Sequence, residues 1–290
     1  MEQIRRGFWA IVSVASIAGL LGAACHLKRL PDVLFQTTPQ YVVEEMLEMA
    51  KVTKDDTVYD LGCGDGRFVI TAAQKYGARG VGIDIDPQRV RESQKNAIEA
   101  GVTDRVRFIE DDLFTTPIHE ATVITLYLLP ELNLKLRPKL LRELKPGSRI
   151  VSYVCDMGDW KPDAMRSFVS STFSTTLRYY VWVIPADVAG EWRWSLSTQE
   201  GNQPYTLRFS QNFQEVSGHV TIQEGRRIRI KEAELTGDRL NFALKYSEGD
   251  KQEVTMQFNG RVSGDTIEGS GEVTGGPLAG KYTWTARRNP

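Results

Sequence analysis

The chain has 290 residues, of which 41% are hydrophobic and 25% are charged, a composition typical of globular proteins. Lys and Arg total 36 against 37 for Asp and Glu, so the net charge of -1 gives no support for bulk nucleic-acid binding, and no nucleic-acid partner is expected. The three cysteines and three histidines lack the spacing of a disulfide framework or a metal site, so no bound metal is expected.

The N-terminal residues 1–30 contain a hydrophobic segment. Residues 7–27 include no Asp, Glu, Lys or Arg, and as a helix they would span roughly 30 Å, about the thickness of a bilayer core. Three interpretations stay open: a membrane anchor, a secretory signal ending in the small residues 22–24, or a buried helix of a soluble protein. Two basic residues flank each side, so the charge bias does not settle an orientation.

The next region alternates predicted helices and strands. Thr38 and Pro39 are typical of a helix start, as N-cap and first-turn residue. The predicted strands are Thr57–Asp60, Gly80–Asp84, Val106–Glu110, Ala121–Leu128 and Arg149–Val154, and the predicted helices are Arg67–Tyr76, Pro87–Ala100 and Leu132–Leu144. This alternation indicates an α/β fold with a doubly wound, Rossmann-like parallel sheet. A later strand-like run, Leu177–Ile184, predicts an antiparallel addition to the sheet.

A glycine-rich loop joins the first predicted strand to its helix, in the sequence Asp60-Leu61-Gly62-Cys63-Gly64-Asp65-Gly66. Its three glycines allow a tight turn and let a ligand approach the backbone. Cys63 is interpreted as a small residue that fills the turn rather than as a reactive thiol. The spacing differs from the phosphate-binding GxGxxG motif, and the acidic residues would repel a pyrophosphate.

Carboxylates also follow the next two predicted strands. Asp84 ends the second strand, where it is placed to accept hydrogen bonds from ribose hydroxyls. Glu110, Asp111 and Asp112 follow the third, and Asp112 is the favoured acceptor for an adenine amino group. Acidic loops at consecutive strand ends suit S-adenosylmethionine, which carries a cationic sulfonium and amine and has no phosphate.

These motifs resemble the seven-strand class I S-adenosylmethionine-dependent methyltransferases. Two further stretches, Phe35-Gln36-Thr37-Thr38-Pro39-Gln40 and Leu126-Tyr127-Leu128-Leu129-Pro130-Glu131-Leu132-Asn133, are similar to one protein-lysine methyltransferase family. That family includes the membrane-anchored mitochondrial enzymes that methylate the adenine nucleotide translocase and the membrane-embedded ring protein of the ATP synthase. The resemblance covers roughly half of the chain.

The resemblance implies an enzyme that uses S-adenosylmethionine to methylate a protein lysine, with a protein partner that is membrane-embedded in those relatives. It implies cofactor contacts along the loop and strand ends, at Thr38, Asp60, Gly62, Cys63, Gly64, Asp84 and Asp112. Tyr127 is the candidate catalytic residue, placed to orient the amine, with core packing as its alternative. Glu131 and Asn133 are predicted to cap the following helix. A small-molecule or lipid methyltransferase and a non-catalytic cofactor-binding protein stay open as alternatives.

The cofactor also bears on location. Because S-adenosylmethionine is made in the cytosol, we expect a protein held at the membrane by residues 7–27 with its catalytic domain on the cytoplasmic side. The alternative is an exported protein with a cleaved signal peptide.

The C-terminal region changes to short strand-like runs separated by turn signals. Alternation in the runs 205–209 and 254–258 predicts a small antiparallel barrel or sandwich. The expected domains are therefore 1–30, the hydrophobic segment; 31–187, the methyltransferase domain; and 188–290, an all-β domain. A structural or partner-docking role is favoured for the last, with binding of an apolar ligand or substrate as the alternative.

Overall fold

The computed structural model describes residues 33, 35–170, 175–198, 201–222, 225–248 and 252–289. The predicted N-terminal hydrophobic helix lies outside these residues and is not supported. Within the described ranges, no helix is long and apolar enough to cross a membrane. This finding corrects the predicted localisation, because membrane anchoring by residues 7–27 is not supported.

The predicted α/β fold is confirmed as a seven-stranded sheet with helices. The sheet order is β3-β2-β1-β4-β5-β7-β6, with β1 to β5 parallel and β7 antiparallel to both of its neighbours. The strands are β1 Thr57–Leu61, β2 Arg79–Asp84, β3 Val106–Glu110, β4 Val123–Leu126, β5 Arg149–Tyr153, β6 Ala164–Ser170 and β7 Thr175–Val183. The helices are α1 Gln40–Met49, α2 Arg67–Tyr76, α3 Pro87–Ala100 and α4 Pro130–Glu143.

The sheet is buried on both faces. Along β1, Val58 belongs to one hydrophobic core, whereas Tyr59 and Leu61 belong to the other. This division follows from the alternation of side chains along a strand. The apolar character of β1 on both faces therefore agrees with a central parallel strand covered by helices on each side.

Local signals explain the helices whose limits were predicted correctly. Helix α3 starts at Asp86, whose side chain accepts a hydrogen bond from the Gln88 N–H at 2.8 Å, and it ends at Gly101 in the left-handed conformation. Helix α2 lies between Gly66 and Gly77, both left-handed. Capping residues act within one helical turn, so the sequence alone reveals them.

Three predicted caps are wrong. Helix α1 begins after Pro39, without a side-chain cap, so Thr38 does not cap it and is instead buried. Helix α4 begins after Leu129, also without a side-chain cap. Glu131 lies inside its first turn, and Asn133 is fully buried and bonds the chain after β5. Of the three, Asn133 is the residue whose side chain is observed in a tertiary hydrogen bond instead of a cap.

The C-terminal region is a closed eight-stranded barrel rather than a sandwich, in the order β10-β11-β12-β13-β14-β15-β8-β9. Aromatic rings fill its interior, with ring centroids of Trp194 and Phe258 5.0 Å apart and those of Phe258 and Trp284 5.4 Å apart. The strands are β8 Gly190–Thr198, β9 Gly201–Asn212, β10 Glu215–Thr221, β11 Arg227–Thr236, β12 Arg239–Glu248, β13 Gln252–Ser263, β14 Thr266–Thr274 and β15 Gly280–Arg288.

The barrel packs directly against the sheet region. Pro31–Pro290 form one compact unit. The Ala186 N–H donates to the Gly237 carbonyl at 2.8 Å, and the Phe213 ring stacks on Trp160 at 5.4 Å. The predicted domain limits 31–187 and 188–290 stay a prediction, because these contacts join the two parts.

Candidate active site

A cavity of about 340 Å³ lies at the carboxyl ends of the parallel strands. This volume is within the range of small-molecule sites in proteins. The cavity is lined by most of the residues predicted from the sequence, namely Thr38, Asp60, Gly62, Cys63, Asp84, Asp112 and Tyr127. Gly64 is not in the lining but donates its backbone N–H to Asp84. The structure thus brings the predicted residues together, and their individual roles stay predictions.

The glycine loop has a backbone that only glycine adopts without strain. Gly64 has φ +54°, and a Cβ there would come within 2.2 Å of the Phe35 ring. Gly66 has φ +81°, and a Cβ there would come within 2.7 Å of the Phe108 ring. Aromatic rings therefore approach the loop closely at two of its glycines, where the absence of a Cβ permits the contact.

Asp84 holds the loop in place from the end of β2. Its Oδ2 accepts the Gly64 N–H at 2.9 Å, and its Oδ1 accepts the Asp86 N–H at 2.9 Å. A carboxylate has about four lone-pair positions, so both oxygens retain the capacity to accept from a ligand. Asp84 therefore combines an observed structural contact with the predicted role of binding a ribose.

Asp60 is a buried carboxyl at the end of β1. Its side chain accepts a hydrogen bond from the Thr125 hydroxyl at 2.6 Å. Burial raises the pKa of Asp60 to about 8, and the charges of Asp84 and Asp65 add to this rise, while the Thr125 bond opposes it. A cation bound beside Asp60 would favour its ionised form, so the site is suited to a positively charged ligand.

The structure distinguishes Asp112 from its neighbour. Asp112 lines the cavity, and its Oδ1 accepts the Phe114 N–H at 2.9 Å. Asp111 is absent from the lining and accepts the Thr116 hydroxyl at 2.8 Å. The preference for Asp112 as the ligand-facing carboxylate therefore agrees with the geometry.

Tyr127 follows β4 and is only partly buried. Its ring lies 4.8 Å from that of Tyr153, measured between centroids, and burial raises the pKa of its phenol. A phenol with a raised pKa is protonated at neutral pH, so Tyr127 is suited to hydrogen bonding rather than to proton abstraction. Burial also raises the pKa values of the Cys63 and Cys155 thiols, which makes both weak nucleophiles.

Sequence reasoning missed several residues of the lining. Arg67 donates to the Thr38 carbonyl, and Arg89 lies over the Phe35 ring at 4.6 Å. Both arginines therefore hold the segment before α1 against the cavity. Another missed pair, Val154–Cys155, follows β5. The rule that ligands bind beyond the carboxyl ends of parallel strands was sufficient to find this pair.

The acidic groups of the cavity fit S-adenosylmethionine. The site offers carboxylates at three successive strand ends, and the loop before α2 is acidic at Asp65, which accepts from the Arg67 guanidinium at 2.9 Å. A pyrophosphate would meet repulsion here, whereas a sulfonium and an ammonium would be stabilised. The fold and the site together define a class I S-adenosylmethionine-dependent methyltransferase.

Comparison with known proteins narrows this class. The sequence profile of the ANTKMT methyltransferase domain matches residues 60–164. A protein-lysine N-methyltransferase of Saccharolobus islandicus is 43% identical over 153 residues, which is 52% of this chain and 95% of that protein. The adenine nucleotide translocase lysine N-methyltransferase of Mus musculus is 29% identical over 175 residues, 57% of this chain and 76% of that protein.

Among solved structures, an RNA methyltransferase from Salinibacter ruber in complex with S-adenosyl-L-homocysteine is 52% identical to this chain. The match covers 53% of this chain and 96% of that one, with a TM-score of 0.49. From the extent of its likeness to the Saccharolobus protein, the chain belongs to the protein-lysine N-methyltransferase family marked by the ANTKMT methyltransferase domain. The family predicted from the glycine loop and the flanking motifs is therefore confirmed.

Proposed function

We propose that this protein transfers a methyl group from S-adenosylmethionine to the ε-amine of a lysine in a protein substrate. The observation that carries the proposal is the cavity at the strand ends, which combines the glycine loop with Asp60, Asp84 and Asp112. The names of the Saccharolobus and mouse relatives support lysine as the acceptor.

Binding of the cofactor would use three carboxyl groups as hydrogen-bond acceptors or as partners of its positive charge. Asp84 would accept from the ribose hydroxyls, Asp112 from the adenine amino group, and Asp60 would lie beside the ammonium of the methionine part. S-adenosylmethionine supplies a methyl carbon that its sulfonium activates for displacement. The protein's own contribution is alignment of the two reactants and exclusion of water, and such alignment lowers the barrier of a reaction between two molecules.

The acceptor amine must lose its proton before transfer. An unperturbed lysine has a pKa near ~10.4, so deprotonation at pH 7 costs about 4–5 kcal/mol. The cavity reduces this cost through an apolar wall, to which Leu128, Leu129 and Val154 contribute. The protonated Tyr127 phenol at the same wall can accept a hydrogen bond from the amine and so orient its lone pair.

Labelling with methyl-tritiated S-adenosylmethionine tests this function. We would incubate the purified full-length protein with soluble and membrane extracts, and compare it with Asp84→Ala and with Glu99→Ala. Glu99 is an exposed residue of α3 paired with Lys95, so its replacement removes a carboxylate from the same region without touching the cavity. Asp84→Ala should abolish transfer, and Glu99→Ala should retain it.

The acceptor is identified by hydrolysis of the labelled product. Label recovered as methyl-lysine from a protein band would support the proposal and name the substrate. Label confined to lipid, small-molecule or RNA fractions would contradict the lysine assignment. If the protein bound S-adenosyl-L-homocysteine but labelled no fraction, the alternative of a non-catalytic binding protein would gain support.

A further inference from the structure

One turn of the barrel reaches into the region beside the candidate active site. The strands β9 and β10 pair at Asn212 and Glu215, so Phe213 and Gln214 form the turn between them. Phe213 has φ +53°, a left-handed backbone that is unusual for a bulky residue. A glycine would adopt this backbone without strain. Because Phe213 is not a glycine, we expect its ring to make contacts that offset the energetic cost of the left-handed backbone.

The Phe213 ring makes such contacts with the chain that follows β5. It stacks on the fully buried Trp160, with centroids 5.4 Å apart and planes at 15°. The Arg137 guanidinium of α4 lies 5.2 Å from the same ring. The barrel turn is therefore held between two residues of the methyltransferase part.

The next residue of the turn adds a reciprocal pair of hydrogen bonds. The Trp160 indole N–H donates to the Gln214 Oε1 at 2.9 Å, and the Gln214 amide donates to the Lys161 carbonyl at 2.7 Å. Both polar atoms of the Gln214 side chain are thus used. The turn therefore contacts residues 160 and 161 through both ring stacking and hydrogen bonds.

Helix α4 also contacts the chain that follows β5. Arg137 donates to the Met157 carbonyl at 2.6 Å. The buried Asn133 amide donates to the carbonyls of Cys155 at 3.2 Å and Asp156 at 3.4 Å. Residues 155–161 are therefore fastened between α4 and the barrel turn. We call these residues the clamped segment.

The clamped segment begins at the wall of the cavity. Val154 and Cys155 both line the cavity, and Val154 has φ +69°. The Cys155 N–H donates to the Tyr153 carbonyl at 2.8 Å, which closes a three-residue turn around Val154. A left-handed β-branched residue persists only where its surroundings impose the conformation.

We propose that the β9–β10 turn of the barrel sets the acceptor side of the active site. Phe213 and Gln214 are positioning residues that hold the clamped segment, and the clamped segment holds Val154 in the wall of the cavity. Among the residues that the structure describes, the turn makes no such contact with the ends of β1 and β2, on the cofactor side. The assignment of this wall to the acceptor rests on the proposed methyl transfer. The positioning of the clamped segment by the turn can be measured without an acceptor.

Amide hydrogen exchange on the full-length protein, with and without S-adenosyl-L-homocysteine, provides that measurement. Phe213→Gly removes the ring that stacks on Trp160 and relaxes the left-handed backbone, so it weakens the clamp without straining the barrel turn. We expect exchange in the peptides covering residues 153–161 to become at least roughly tenfold faster. The affinity for S-adenosyl-L-homocysteine should stay within about twofold of the wild type, because Asp60 and Asp84 are untouched.

Two controls separate positioning from general loosening. Phe213→Tyr keeps the ring and should restore the wild-type exchange. Tyr282→Ala deletes another partly buried ring of the same barrel, which bonds the Leu278 carbonyl, and should leave exchange at 153–161 unchanged. Wild-type exchange in Phe213→Gly, or equal acceleration in Tyr282→Ala, would overturn the inference.

The activity of the same variants separates this inference from the proposed function. Where the wild type methylates a protein, Phe213→Gly should lower kcat/KM for that protein by roughly tenfold or more, while KM for S-adenosylmethionine stays constant. Absence of protein methylation by the wild type would count against the proposed function alone, and the exchange result would still decide the positioning.

Discussion

Binding of a cationic cofactor beside Asp60 should release a proton. In the free protein, burial raises the pKa of Asp60 to about 8. At pH 7, the protonated fraction of a carboxyl with that pKa is roughly 0.9. A ligand ammonium in contact with it favours the ionised form, so binding lowers the pKa and expels this proton. The affinity for the ligand should therefore rise with pH. The rise should reach up to about tenfold per pH unit between pH 6 and the pKa of Asp60 in the free protein.

Calorimetry with S-adenosyl-L-homocysteine measures this release directly. Titrations at pH 7 in two buffers of different ionisation enthalpy give the number of protons exchanged per ligand bound. We expect roughly 0.8–0.9 proton released by the wild type and close to none by Asp60→Asn. The comparison is restricted to pH 6.0–7.5, where the ligand's own amine stays protonated.

Asp56 provides the matched control, at the opposite end of β1. Its carboxyl is also shielded from solvent, but bonds from Thr122 and Thr53 and the charge of Arg149 outweigh burial and hold its pKa below the usual range. Asp56→Asn removes a carboxyl that is already ionised, so the proton release should equal that of the wild type. Equal proton release from the wild type and Asp60→Asn would refute the assignment of Asp60 to the ligand ammonium.

Three further predictions concern the loop, the adenine end and the fold. Gly66→Ala places a Cβ within 2.7 Å of a packed aromatic ring at φ +81°, so thermal unfolding should show roughly 1–3 kcal/mol lower stability. Asp112→Asn should weaken the binding of S-adenosyl-L-homocysteine by roughly tenfold. Asp111→Asn should weaken it by less than about twofold, because Asp111 lies outside the cavity lining. Equal losses of affinity for the two variants in calorimetry would contradict this distinction. Arg149→Met leaves the buried Asp56 carboxylate without its ion pair, so urea unfolding at neutral pH should show a loss of roughly 2–4 kcal/mol. This loss should shrink as the pH falls through the lowered pKa of Asp56 in the folded protein.

The pH dependence of the last prediction follows from the direction of the shift. The pKa of Asp56 is lower in the folded protein than its ordinary value, so its ionised form stabilises the fold at neutral pH. This stabilisation is complete above the unfolded pKa and is lost as the pH falls through the folded pKa. The difference between the wild type and Arg149→Met should therefore narrow only in acid.

The sequence alone determined the elements whose signals are local. The limits of α2 and α3 were predicted correctly because glycine and proline act within one turn of the residues they cap. The glycine loop was equally visible, since it follows a short apolar strand and precedes a helix. Three carboxylates could be assigned to one edge because parallel strands place their carboxyl ends side by side.

Other features were decided by partners distant in the chain. Strand β6 was missed because it is an edge strand, mostly exposed, without an apolar alternation that marks a buried face. The closure of the barrel depends on pairing of β8 with β15, about 90 residues apart, which no local pattern encodes.

The wall of the candidate active site shows most clearly the difference between features set by local sequence signals and features set by distant contacts. Asn133 has the sequence signature of a helix cap, but in the fold it bonds carbonyls 22 and 23 residues later. Phe213 has no such signature, because its partner Trp160 lies in another part of the chain and no local pattern marks the left-handed backbone at residue 213. Sequence therefore predicted most of the residues that line the cavity, through local backbone chemistry, whereas only tertiary packing determined what holds the part of its wall formed by Val154 and Cys155.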